Sequence, residues 1–297
     1  MINVKNSLLL FFFVFTALSL KEASALVDYS ENINNNDAQI NSNRLSSKIA
    51  PPKNESKSLI WKSDISLTTN YEAMEIDSQK IGVINLNSHI QTPVNVYFDI
   101  SYWNAQTNKG SQNGNPRAII GFNWLRFGSP TDEARFDIYG GVKIASKATL
   151  ASSRNDKIFG IETTKRFGTF GLGIGYEVSL VGAPASESDL NIGNIQRIAI
   201  SSGWMVSNDI QFEIEIENFR IQGGSSNSQT NYLNQSLSFS TLSPKLNLTI
   251  VPSVNLELGA RFSTNKPKSS QDIKSAKLFD LHGAYSNSLF AGLNLNL

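Results

Sequence analysis

The chain has 297 residues, with 26 Lys and Arg against 25 Asp and Glu, and contains no Cys. So small a net charge speaks against a nucleic-acid partner, whose phosphates demand a basic excess. Without Cys there are no disulfides, no thiol nucleophile, no thiolate metal site and no lipidated cysteine.

Lys5 precedes an apolar run from Leu8 to Leu20, followed by the small residues Ala23-Ser24-Ala25. This is the layout of a secretory signal peptide over residues 1–25. An uncleaved anchor helix is the competing reading, although the run is short for a membrane span. Residues 26–57 are dense in Asn and Ser and close on Pro51-Pro52. They have little apolar surface to bury, so a disordered periplasmic segment is expected.

From residue 58 to 297 the hydrophobic period is two, and no segment sustains a helical period. Val94 to Tyr102, Phe136 to Ile144, Phe170 to Leu180, Ile210 to Ile216 and Val254 to Phe262 alternate apolar with polar or small residues. Weaker runs cover about 59–71, 80–91, 116–127, 157–166, 194–206 and 231–250, the last carrying Pro244. With a final strand at 284–297 the reading is twelve strands.

The connections alternate in length. Thr92-Pro93, Gly128 to Glu133, Phe167-Gly168, Ser207 to Asp209 and Val251 to Ser253 are short. The links at 72–79, 104–115, 147–156, 183–193, 222–230 and 265–283 are longer and more polar. Short turns on one side, longer loops on the other and an even strand count predict an all-β fold: a closed, antiparallel, up-and-down transmembrane β-barrel. A soluble sandwich gives no reason for that parity. Trp61, Trp124, Phe127 and Trp204 then fall near one rim, and Tyr71, Tyr102, Trp103, Tyr232 and Tyr285 near the other, as interfacial girdles. The alternative places these rings in a sandwich core.

If apolar residues face lipid, their neighbours face the lumen. Candidate pore-lining residues are Asp99, Arg135, Asp137, Lys143, Glu177, Arg197, Glu213, Glu215, Glu217, Glu257 and Arg261. Asp64, Glu162, Lys62, Arg117 and Lys245 share that face. The row Glu213, Glu215, Glu217 favours cations in a narrow lumen, or is paired by Arg197 and other bases from adjacent strands. Gly171, Gly173 and Gly175 leave room for a bulky residue such as Tyr139, relieve strain, or widen a passage.

The last ten residues, Ser288 to Leu297, put Leu289, Ala291, Leu293, Leu295 and Leu297 on one face. Gly292, Leu295 and Leu297 resemble the C-terminal signal of bacterial outer-membrane proteins, with Phe290 where a polar residue is usual. The whole segment 58–297 resembles a bacterial outer-membrane β-barrel. Within it, Lys165 to Tyr176, Val206 to Glu215 and Tyr285 to Leu293 resemble the transporter-like barrels grouped with phenol-degradation outer-membrane proteins. That resemblance implies residence in the bacterial outer membrane, passage of small solutes, and lipid and the barrel-assembly machinery as partners. It carries over no site residues.

Only His89 and His282 are available as imidazoles, and no Ser–His–acid arrangement, metal, phosphate or dinucleotide motif is present. The expectation is therefore no enzyme, no catalytic residue, no metal and no cofactor. The leading functional reading is a passive channel for small solutes through a mixed-charge lumen. The alternative is a non-conducting structural or surface-interaction barrel whose interior is occluded by ion pairs.

Overall fold

In a computed structural model, residues 64–296 are described except 77–78, 109, 130–131, 187–188, 225–232, 234 and 266–273. The expected signal peptide (1–25), the polar segment (26–57), Trp61, Lys62, Tyr232 and the Asp64 side chain lie outside the described residues. Thirteen strands follow one another: β1 (Asp64–Ile76), β2 (Gln79–Gln91), β3 (Val96–Thr107), β4 (Gly110–Asn113), β5 (Arg117–Phe127), β6 (Ala134–Lys143), β7 (Asp156–Phe167), β8 (Phe170–Leu180), β9 (Ile192–Met205), β10 (Ile210–Gly223), β11 (Leu237–Val251), β12 (Val254–Asn265) and β13 (Ser288–Asn296). The short β4 folds back on the end of β3, which then pairs with β5. The other twelve form a closed antiparallel ring in chain order. β1 and β13 close it, from Ser66↔Asn296 to Met74↔Ser288.

Period-two alternation sets which side chains face out. Ile174 is 55 % exposed, Phe159 53 % and Ile200 48 %, whereas Glu213 and Glu215 are 0 % exposed. A soluble fold buries the first set and exposes the second. The reversed arrangement is stable where hydrocarbon surrounds the ring.

The chemistry of each face inverts toward the loop end. In β10, Ile210 to Ile216 point out and Glu213, Glu215 and Glu217 point in, but beyond them Asn218 and Arg220 point out while Phe219 and Ile221 are buried inside. β11 repeats this, with Leu237 and Phe239 inside above Thr241, Ser243 and Lys245. The exterior thus turns polar where it leaves the apolar belt, and the interior turns apolar at the same level.

The turn end carries the aromatic rim. A bulge between Asn123 and Leu125 adds one residue to β5, so that Trp124, Leu125 and Phe127 all project outward. Trp124 packs edge-on to Phe136 at 5.7 Å, and Phe167, Phe170 and Trp204 extend the exposed aromatic rim. Gly168, at φ +62°, makes the two-residue turn between β7 and β8 possible.

Four expectations are corrected. The link at 72–79 is strand up to Ile76 and again from Gln79, because Glu72↔Val83 to Ile76↔Gln79 continue the ladder. Trp103 faces inward and is buried, since it is one residue out of phase with the outward Tyr102. Tyr285 packs against buried interior residues instead of standing in an outer girdle. The expected link at 104–115 is likewise strand up to Thr107 and again over β4, and of the links at 222–230 and 265–283 the residues 225–230 and 266–273 lie outside the described residues.

Large rings fill the positions above interior glycines. A Cβ on Gly121 would lie 2.0 Å from the Tyr97 ring, one on Gly160 2.2 Å from Tyr139, and one on Gly259 2.4 Å from Phe290. Tyr139 therefore uses Gly160, its cross-strand partner, and not the β8 glycines. Those glycines pair with Ala199, Ser201 and Gly203 of β9, making a patch of small residues on the inner wall.

Candidate functional site

The barrel interior divides into three levels. Nearest the turns, His89 Nδ1 lies 2.5 Å from Asp99 Oδ1, and its ring stacks on Tyr97 at 5.5 Å. Asp137 is buried there, 4.0 Å from Arg135, which also approaches Glu133 at 3.9 Å. Asn247, Asn255 and Asn294 are buried on the opposite wall.

The middle level is a chain of ion pairs crossing five strands. Arg117 NH2 donates to Glu177 Oε2 at 2.6 Å, and the Tyr139 hydroxyl donates to the same oxygen at 2.9 Å. Arg197 reaches Glu177 at 3.9 Å, Glu215 at 3.3 Å and Glu217 at 2.7 Å. Lys245 reaches Glu213 at 3.2 Å and Glu215 at 3.8 Å. The register produces this: Glu177 sits opposite Arg197 across β8–β9, and Glu213 opposite Lys245 across β10–β11. On the far wall Arg261 donates to Glu72 at 2.5 Å and lies over the Phe290 ring at 4.7 Å. The Ser288 hydroxyl and His282 also approach Glu72, at 2.5 and 3.8 Å.

The third level is a lid. Residues 274–287, between β12 and β13, fold into the loop-end mouth. Ala276 and Leu278 are fully buried against Ile192, Ile195, Phe219, Ile221, Leu237 and Phe239. Phe279 meets Trp103 at 4.7 Å and Tyr285 at 5.5 Å. Gly283, at φ +76°, is the close approach: a Cβ there would lie 2.2 Å from Thr241. Two buried ion pairs tie the lid to the rim. Lys143 bonds Asp280 at 2.8 Å and Asp156 at 2.6 Å, and Lys277 bonds Asp189 at 2.7 Å.

Burial pushes the Asp280 carboxyl up, but the Lys143 ammonium beside it more than compensates and holds it below the usual carboxylate range. Asp189 is likewise held low, its burial outweighed by hydrogen bonds from Lys277 and Ser153. Asp280 of the lid and Asp189 of the rim are therefore both charged at neutral pH.

Between the ion-pair chain and the lid lies a cavity of about 170 Å³. Arg117, Glu177, Arg197, Glu217, Lys245 and Glu257 face it from the middle level, and Trp103, Phe279, Asp280, His282 and Tyr285 from above. Glu72, Asn70, Asn85 and Arg261 supply a further wall.

The sequence-derived candidates are thus all on the inner side but not in one cluster. Asp99, Arg135 and Asp137 belong to the turn end. Glu177, Arg197, Glu213, Glu215, Glu217, Glu257 and Arg261 belong to the middle, and Lys143 to the lid. Sequence reasoning missed Glu72, which it left in a loop, although its parity with Ser66, Thr68 and Asn70 marks it as inward. It also missed Asp280, Phe279 and Trp103. The apolar pair Leu278-Phe279 inside a polar loop was the available signal. His89 and His282 both turn to interior carboxylates and not to the outer surface.

No family model matches the chain, and no curated protein matches it. Solved structures do. It is similar to the NanC porin, with a TM-score of 0.53 at 9 % identity over 78 % of this chain and 100 % of that one. It is similar also to an outer membrane channel from Pseudomonas putida F1, with a TM-score of 0.57 at 8 % identity over 82 % of this chain and 98 % of that one. At such identities the likeness is one of fold. By that fold, the chain is a twelve-stranded β-barrel of the bacterial outer-membrane type.

Proposed function

We propose that this barrel is a narrow outer-membrane channel for small solutes, with its loop-end mouth covered by residues 274–287. The observation that carries the reading is the polar cavity held inside a ring whose outside is apolar. A purely structural barrel has no need to keep charged groups around a cavity, because apolar packing stabilises an interior as well or better. The two similar structures, described as a porin and a channel, support it. Nothing in this reading requires catalysis.

Full-length protein refolded into a planar bilayer is expected to give discrete conductance steps, larger or more frequent when residues 276–284 are replaced by a short Gly-Ser linker. No steps from either protein would overturn the proposal.

A non-conducting barrel is the second reading. It is favoured by the full burial of Glu213 and Glu215 beneath Arg197 and Lys245, which narrows the middle level. Silence of the lid-replaced protein in the same recordings would select it.

A further inference from the structure

The solute class follows from which charges around the cavity are already neutralised, an argument that rests on the channel reading. Each base lining the cavity has a carboxylate in contact. Arg117 is held by Glu177, Arg197 by Glu217, Lys245 by Glu213 and Arg261 by Glu72, while Lys143 is held by both Asp156 and Asp280. Glu215 shares bases that other acids already hold. Glu257 lines the cavity from β12 with no ion pair among the described residues. The lining itself carries five carboxylates, Glu72, Glu177, Glu217, Glu257 and Asp280, against five cations, and the buried Glu213, Glu215 and Asp156 that contact those cations tip the surroundings of the cavity negative.

A second feature points the same way. Trp103, Phe279 and Tyr285 line the lid side of the same cavity and pack on one another. Aromatic faces attract cations, more strongly where water is scarce. An uncompensated carboxylate on one wall and aromatic rings on another suit an organic ammonium group, while an anion meets excess negative charge and bases that are already occupied.

We propose that the cavity selects cationic solutes, organic ammonium compounds above all, over anions, with Glu257 as the residue that determines the preference. In bilayers under a KCl gradient, the reversal potential is expected to show a several-fold preference for potassium over chloride, and added phenethylammonium should reduce the current. Glu257→Gln, which breaks no ion pair, should move the reversal potential toward zero and remove most of the block. Glu75→Gln, exposed on the outer face of β1, should change neither. A reversal potential of zero or of anionic sign, or a Glu257→Gln protein identical to wild type, would overturn the inference while leaving the channel standing.

If no conductance appears, the channel reading fails, and calorimetry on the detergent-folded protein decides the inference separately. Phenethylammonium binding that is lost in Glu257→Gln supports it, and absent or unchanged binding overturns it.

Discussion

Arg197 is the side chain on which the middle of the barrel depends most. Its guanidinium is within 4 Å of Glu177, Glu215 and Glu217, and all three carboxylates are buried. Arg197→Gln strands that charge in a buried site, an imbalance that costs about 3–5 kcal/mol. The expected result is a marked fall in the denaturant midpoint of the folded barrel band on unheated gels. Arg117, whose side chain is 30 % exposed, should cost far less on the same substitution. Gly121→Val should displace the Tyr97 ring and lower the midpoint by the equivalent of about 1–3 kcal/mol. At this scale the sequence was informative about direction but not about partners. Parity alone placed Glu213, Glu215 and Glu217 inward and offered Arg197 as their counter-charge. That Glu257 has no such counter-charge depends on the stagger between β11 and β12, which single-strand patterns do not encode.

Among elements, the strands were legible and the lid was not, for one physical reason. A strand between lipid and lumen must alternate over its whole length, so its period is written in every residue. A lid held by a few contacts needs only Leu278, Phe279 and the two acids that latch it, and a cluster that short has no period. The β1–β2 connection reads as a loop in sequence because Glu72 faces inward and Glu75 and Lys80 lie on strands that extend beyond the apolar belt.

The latch has a defined response to pH. Asp280 and Asp189 titrate below their ordinary value of 3.8 when folded. Such groups stabilise in full above the unfolded value and lose that contribution as pH falls through the folded one. Hydrogen exchange at residues 276–284 should therefore stay slow from neutral pH down to 3.8 and accelerate only below it. Acceleration between pH 7 and 5 would contradict this account of the latch. Asp280→Asn should speed exchange at neutral pH, since Lys143 would keep only Asp156.

For the whole molecule the decisive matter is the solvent outside the ring. Ile174→Arg places a charge in the middle of the exposed apolar belt and should cost about 2–4 kcal/mol in lipid. In water the same change at a half-exposed position is close to neutral. Folding yield into vesicles against urea distinguishes the two. A neutral result would mean that hydrocarbon is not the neighbour of that face.

The lid also has a mechanical consequence. It grips Glu72 of β1, Trp103 of β3, Lys143 of β6 and the β9–β11 wall at once. A hollow ring of strands resists flattening poorly, whereas a ring with a spoke fixed to opposite sides keeps its circular section under lateral load. Withdrawing the spoke would therefore soften the rim as well as open the mouth, so that squeezing by a thicker or stiffer bilayer would begin to tune the aperture.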